Sequence, residues 1–200
     1  MKILFTLIVV SLLGACSLMS QKPVDQASVS ISIENQDRIL FSGKGAGAGM
    51  MMSASMGAMG IAIGVAIDEG IAKEVHESFV SLGNDFSEMI KTETNFWLAN
   101  VCNANQATSE AICQPNLNLI IKVYRYGFVT TSGDNDPVKP ELDIGFVLNT
   151  GEEHCLNLKS VEEASKAPLE IVKKDGKVTS ELLTKSYQLI LENYAISLSN

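Results

Sequence analysis

The feature of this sequence that most constrains its fold is a run of 23 residues without a charge, residues 45–67. Small residues recur within it every four positions, which on an α-helix places them in rows along one face. One row comprises Ala54, Ala58, Ala62 and Ala66, a second Gly49, Ser53 and Gly57, and a third Gly60 and Gly64. Because such flat rows let another backbone approach closely, we predict that residues 43–67 form a glycine zipper, a helix that packs through its small residues.

The length and composition of the run leave three interpretations open. A helix of this length measures about 35 Å, enough for the roughly 30 Å hydrocarbon core of a bilayer. Only four of its residues are strongly hydrophobic, however, namely Ile61, Ile63, Val65 and Ile67. Each glycine also weakens a helix by about 1 kcal/mol relative to alanine. Helix pairing or membrane contact, packing in a soluble core, and a mobile loop are the three alternatives.

The amino terminus has the parts of a secretory signal peptide. Lys2 provides a positive start, an apolar stretch covers residues 3–13, and the sequence Leu-Gly-Ala-Cys ends at Cys16. Small residues directly before a cysteine resemble the lipobox of bacterial lipoproteins. That resemblance implies cleavage after residue 15, a diacylglycerol on the sulfur of Cys16 and an acyl chain on its new amino group. Ser17, where an aspartate would retain such proteins in the inner membrane, implies the outer membrane by the same resemblance.

These two segments divide the chain and suggest what it contacts. We expect a signal peptide at residues 1–15, a lipidated tether at 16–28 and one periplasmic domain at 29–200, including the zipper segment 43–67. Loss of Lys2 with the signal changes the formal net charge from −8 to −9. This acidic balance argues against nucleic acid as a partner. The expected partners are membrane lipid, through the acyl anchor, and either a second copy or another envelope protein.

The periodicity of the remaining residues predicts an α+β fold, in which an antiparallel sheet packs against a long amphipathic helix and a C-terminal helix. Alternation at residues 29–33 and 38–42 predicts a β-hairpin that leads into the zipper. Apolar spacing over residues 71–101 predicts the long helix, with a break at Gly83 and a new cap at Asn84 or Asp85 as an option.

The second half of the chain alternates in the pattern of a meander. Strands are predicted at residues 117–126, 142–148 and 155–158, with Tyr124 and Tyr126 on the face opposite Leu119. The Asp175-Gly176 pair predicts a turn between two short strands, 169–172 and 177–179. Thr179 or Ser180 is then expected to cap the terminal helix, whose apolar face includes Leu183 and Tyr187.

Three cysteines remain after Cys16 in what is expected to be an oxidising compartment. A disulfide between Cys102 and Cys113 would close a short loop between helix and strand, leaving Cys155 buried and free. A bridge between Cys113 and Cys155 is the alternative, because connectivity does not follow from sequence alone.

No pattern in the sequence predicts catalysis or a metal site. His154 adjoins Cys155, but neighbouring residues of a strand point to opposite faces, and neither His76 nor His154 has a second ligand at metal spacing. Asp134, Asp136, Glu141 and Asp143 lack the positions and the central glycine of an EF-hand loop. Nucleotide-binding and nucleophile motifs are absent from the sequence. We therefore expect a protein without enzymatic activity, metal or cofactor apart from the lipid on Cys16.

The functional expectation follows from the anchor and the zipper. Together they resemble small glycine-zipper envelope lipoproteins of Gram-negative bacteria, which implies a zipper that mediates self-association or contact with a membrane or envelope protein. The alternative is an accessory lipoprotein subunit of an envelope transport or secretion complex, in which the zipper is a core helix.

Overall fold

The protein, represented by a computed structural model, has an α+β fold built on a mixed sheet. The structure describes residues 28–33, 38–103, 112–114, 116–130, 137–149, 151–158 and 165–198. The strands are β1 (Ser28–Ile33), β2 (Leu40–Ser42), β3 (Asn118–Thr130), β4 (Pro137–Val147), β5 (Glu153–Asn157) and β6 (Ala167–Pro168). The helices are α1 (Lys44–Met56), α2 (Ala58–Ser81), α3 (Phe86–Asn103), α4 (Leu169–Lys174) and α5 (Gly176–Ser197).

The long strand β3 lies at the centre of this sheet. It pairs antiparallel with β4, which pairs antiparallel with β5 and β6. On its other edge β3 pairs in parallel with β1 and, further along, with β2. The predicted hairpin of residues 29–33 and 38–42 is therefore wrong, and the sheet is not purely antiparallel. Parallel strands need a long crossover, and α1, α2 and α3 provide it between β2 and β3.

A β-bulge in β3 changes which of its side chains face the helices. The register against β4 shifts between Val123 and Arg125, which reverses the alternation beyond that point. Tyr126 is consequently buried beneath the helices, stacked on Phe86 with ring centroids 4.0 Å apart. The prediction that Tyr126 shares the face of Tyr124 is wrong for this reason.

The core lies between one face of the sheet and the helices α2, α3 and α5. Tyr194 of α5 stacks on Phe146 of β4, with ring centroids 4.2 Å apart. The buried hydroxyl groups of Tyr187 and Thr94 lie 2.7 Å apart and join α5 to α3. Such a bond lets polar atoms enter the core without the loss of a hydrogen bond.

Local signals explain where α2 ends and α3 begins. Gly83 adopts a positive φ of 74° just after α2, a conformation that favours glycine. Asp85 then accepts a hydrogen bond from the backbone nitrogen of Glu88 at 3.0 Å, as an N-cap does. The optional break that the sequence offered at these residues is present.

The region around Gly176 is helical, which corrects the predicted strand pair at residues 169–172 and 177–179. Asp175 ends α4 and caps α5, because its carboxylate accepts hydrogen bonds from the backbone nitrogens of Lys177 and Val178. Helix α5 therefore begins at Gly176 rather than after Thr179. Leu183 and Tyr187 lie on its buried face, as predicted.

Candidate functional site

The uncharged segment forms two antiparallel helices rather than one. Gly57, with a φ of 58°, separates α1 from α2, and its backbone nitrogen bonds the carbonyl oxygen of Ser53 at 2.9 Å. The predicted continuous helix of about 35 Å is therefore wrong, since α1 has 13 residues and measures about 20 Å. We call residues 44–67, which comprise α1, Gly57 and the first part of α2, the helical hairpin. Helix α1 packs mainly against α2.

Four glycines, which we call the glycine seam, form the contact between the two helices. They are Gly45, Gly49, Gly60 and Gly64, and all four are buried. A Cβ atom on Gly60 would lie 2.5 Å from the backbone nitrogen of Ser53, and one on Gly64 would overlap the carbonyl oxygen of Gly45. Because these contacts are with backbone atoms, the seam has no room for a larger residue.

The predicted rows of small residues have different positions in the hairpin. Gly49, Gly60 and Gly64 lie in the helix contact, Ser53 lies half-buried beside it, and Gly57 forms the turn. The row of Ala54, Ala58, Ala62 and Ala66 is exposed. Within the chain this alanine row makes no close helix contact, because the turn at Gly57 directs the glycines inward and the alanines outward.

Asp68 holds the base of the hairpin closed. Its carboxylate oxygens accept hydrogen bonds from the backbone nitrogens of Gly43, at 3.1 Å, and Gly45, at 2.6 Å. The first backbone N–H groups of a helix have no partner within the helix. In α1 the N-cap residue, Gly43, has no side chain that could accept their hydrogen bonds, so Asp68 accepts them instead. The sequence pattern does not indicate this role, although Asp68 is the first charged residue after the uncharged run.

Large apolar side chains cover the outside of the hairpin. Met51 is 80% exposed, Met50 74% and Met59 63%. Other exposed or partly exposed side chains on it are Met52, Met56, Ile61 and Val65. A monomer rarely exposes an apolar patch of more than a few hundred Å². The hairpin is thus not a core element, and its outer surface is the candidate site.

One side of the hairpin carries a groove of about 380 Å³. Gly45, Gly49 and Gly64 form its floor, and the side chains of Met50, Ile61 and Val65 form its rim. Small residues in the floor let a helix or a long side chain approach the backbone closely. The groove and the apolar rim therefore make this side of the hairpin suited to an apolar partner.

The face of the sheet opposite the helices carries a polar cluster. Glu153 accepts a hydrogen bond from Lys122 at 2.8 Å and another from Tyr124. The hydrogen bonds from Lys122 and Tyr124 lower the pKa of Glu153, and the bond to Glu153 raises the pKa of Lys122. These bonds tie β3 to β5 across the intervening strand β4.

The cysteines and histidines do not form a nucleophilic pair. Cys102 and Cys113 are joined in a disulfide with their Cα atoms 5.4 Å apart, so the alternative bridge to Cys155 does not occur. Cys155 is free and exposed, which corrects its predicted burial. Desolvation and the Glu153 carboxylate raise the pKa of the Cys155 thiol. His154 lies on the helix face against Tyr194, with ring centroids 5.9 Å apart, so it does not meet that thiol.

Several predicted features lie outside the described residues, among them Cys16, the signal peptide, the tether up to residue 27, and the loop with Asp134 and Asp136. Of the remaining acidic candidates, Glu141 is buried and pairs with Arg125 at 3.2 Å. In the ranges that the structure describes, no three His, Cys, Asp or Glu side chains cluster as a metal site would require. Likewise, no described helix has the length and apolar character needed to cross a membrane.

Comparison of the chain with protein-family models, curated proteins and solved structures finds no match. The chemistry of the helical hairpin therefore carries the functional conclusion.

Proposed function

We propose that this chain is a non-enzymatic outer-membrane lipoprotein, anchored through acyl chains on Cys16, whose helical hairpin is an association surface. The observation that carries the association is the exposure of methionine, isoleucine and valine side chains around a hairpin that is closed internally by glycine. Methionine is flexible and polarisable, and it recurs on surfaces that bind apolar partners. The lipobox resemblance at residues 13–16 supports the anchor.

Exposure distinguishes this proposal from the alternative of an accessory subunit with a core zipper. A core helix buries its large side chains and leaves small or polar ones outside. In the hairpin the arrangement is reversed, since glycines are inside and Met50 and Met51 are outside. An apolar surface of this kind is costly in water and becomes favourable when a partner covers it.

The association is tested by native electrophoresis after extraction in a mild detergent. We expect the wild-type chain in a species larger than the monomer and the double variant Met50→Ser/Met51→Ser in a smaller one. Ile196→Ser is the control, because Ile196 is 60% exposed but belongs to α5. An identical species for all three proteins would contradict an association surface on the hairpin.

The anchor is tested separately with Cys16→Ser. We expect this variant to lose acyl labelling and outer-membrane fractionation, because the thioether-linked lipid needs the cysteine sulfur. Unchanged labelling and fractionation would contradict the lipoprotein assignment without affecting the hairpin.

A further inference from the structure

The charge distribution limits which kinds of partner the hairpin can bind. The chain carries a formal net charge of −8, yet residues 45–67 carry none. Two copies repel each other over most of their acidic surface, but not where these uncharged segments meet. The nearest acidic groups are already engaged, since Asp68 bonds the start of α1 and Glu69 pairs with Arg38 at 2.6 Å.

The same composition disfavours a bilayer as the partner. Segments that lie in a membrane interface carry tryptophan or tyrosine at headgroup level and lysine or arginine toward anionic lipid. Residues 45–67 contain none of these four residue types, and the hairpin carries a single one of them, Lys44 at the start of α1.

The shape of the hairpin provides both halves of a symmetric contact. A two-fold interface uses the same patch on both copies, so that patch must be self-complementary. The groove offers a floor of glycines, and beside it Met50, Ile61 and Val65 project with exposures of 74%, 59% and 57%. A rim side chain of one copy can therefore enter the groove of the other while its own groove receives the equivalent side chain.

The exposed apolar area of the hairpin is of the same order as the area that a stable protein interface buries. A stable interface buries about 800 Å² on each partner. The seven large apolar side chains of the hairpin, with exposures between 38% and 80%, together present on the order of several hundred Å². Of these seven, Met50, Ile61 and Val65 lie on the side of the groove.

We propose that the partner of the hairpin is a second copy of this chain, and that the two hairpins pair about a two-fold axis into a four-helix bundle through their grooves. This inference rests on the proposed function and names the partner of the same site. The rim side chains of each copy insert over the glycine seam of the other. The one charged side chain that lines the groove, Asp68, keeps its hydrogen bonds to the backbone nitrogens of Gly43 and Gly45.

Site-directed cross-linking in intact cells tests the pairing on the full chain. One cysteine is introduced at Val65 in a Cys155→Ser background, which removes the free thiol of the described domain. Val80→Cys is the matched control, because Val80 is also an exposed valine of α2 but lies beyond the hairpin. With a bismaleimide reagent we expect a species of twice the chain mass for Val65→Cys and none above background for Val80→Cys.

Copies carrying two different tags provide an independent readout. We expect them to co-purify. We also expect Ile61→Ser and Val65→Ser each to weaken the dimer about a hundredfold, because each change removes one buried aliphatic side chain from both copies, at about tenfold for each. Val80→Ser should leave co-purification unchanged. Both rim residues are already largely exposed, so their replacement should leave the fold of each copy intact.

The outcomes separate this inference from the proposed function. If Val65→Cys gives no homodimer and tagged copies do not co-purify, a second copy of the chain is excluded as the partner of the hairpin. Flotation of the Cys16→Ser chain with phosphatidylcholine vesicles, lost in Val65→Ser, would then identify a bilayer as the partner, and a cross-link from position 65 to a different protein would identify that protein. Both results overturn the pairing and retain the association surface. If no Val65 variant changes any of these readouts, the proposed function fails as well.

Discussion

The sheet with its covering helices and the helical hairpin are stabilised by opposite means. Around the sheet, large side chains such as Phe146, Tyr187 and Tyr194 fill the space between layers and are fully buried. In the hairpin the large side chains face outward, and the two helices meet through the backbone at the glycine seam. The same chain thus contains one region that large side chains stabilise by filling its core, and another in which the helices can pack closely only because the contact residues have no side chain.

This difference determines how each region responds to substitution. Removing atoms from the packed core leaves a cavity and loses transfer free energy. Adding atoms at the glycine seam forces the backbones apart, because no flexible side chain is there to move aside. The core should therefore be sensitive to truncation, and the hairpin to enlargement.

The largest expected effect is truncation in the core. Phe146→Ala should lower the free energy of unfolding by about 3–5 kcal/mol, because Phe146 is fully buried and stacked on Tyr194. The measurement is chemical denaturation of the whole domain. Phe96→Ala is the matched control, since Phe96 is 65% exposed and should change stability by less than about 0.5 kcal/mol. Similar losses for both variants would contradict a core organised around the sheet.

Enlargement at the glycine seam should have a smaller and more local effect. Gly64→Ala places a Cβ against the carbonyl oxygen of Gly45 and should destabilise the hairpin by about 1–3 kcal/mol. Gly70, on the same helix, would carry a Cβ with nothing within 4 Å, so Gly70→Ala should stabilise by about 0.5–1 kcal/mol. Hydrogen exchange of the amides in residues 44–67 measures the first change. Effects of the same sign at both glycines would refute the seam.

The sequence predicted those features of the fold that depend on short-range patterns. The α+β class, the long strand β3 and the break at Gly83 follow from periodicity and capping, which act within a few residues. The bridge between Cys102 and Cys113 followed from their spacing and the elements on either side. The close contact at Gly60 and Gly64 followed from the four-residue repeat, although its partner lay within the same chain.

Features that depend on distant partners were not predicted. The alternation in β1 and β2 indicates strands but does not state that both pair with β3. The Asp175-Gly176 pair is compatible with a hairpin turn as well as with a helix cap. In the structure it caps a helix, and Gly176 packs closely against Ser78 and Phe79 of α2, which are distant in sequence. In the uncharged segment many glycines could turn the chain, and local pattern alone does not single out Gly57.

The junction between the two regions depends on one carboxylate. Asp68→Ala removes the acceptor for the backbone nitrogens of Gly43 and Gly45 and should destabilise α1 by about 0.5–2 kcal/mol, the usual effect of losing a cap. Hydrogen exchange at the start of α1 measures it. Asp85→Ala, which removes the equivalent cap of α3, should accelerate exchange in α3 and not in the hairpin. Equal exchange in α1 for both variants would show that Asp68 does not close the hairpin.

The smallest expected effect is a pH dependence confined to the sheet. Hydrogen bonds from Lys122 and Tyr124 lower the pKa of Glu153 from its ordinary value of 4.5, so the folded state favours the ionised carboxylate. Its contribution is complete above pH 4.5 and is lost as the pH falls through the lower folded-state pKa. Because Glu153 is accessible to solvent, screening keeps this contribution small.

Glu153→Gln isolates this effect from other acids that titrate in the same range. The lysines at 174 and 173 also lower the pKa of Glu170, so the informative quantity is the difference between wild type and Glu153→Gln, followed between pH 6 and pH 3. We expect wild-type β5 amides to exchange more slowly than those of the variant at pH 6, and the difference to shrink as the pH falls below 4.5. Amides of α1 should show no such difference, since Glu153 bonds only β3 and its own strand among the described contacts. A difference that stayed constant as the pH fell below 4.5 would mean that packing of the side chain, and not its charge, holds β5 to the sheet.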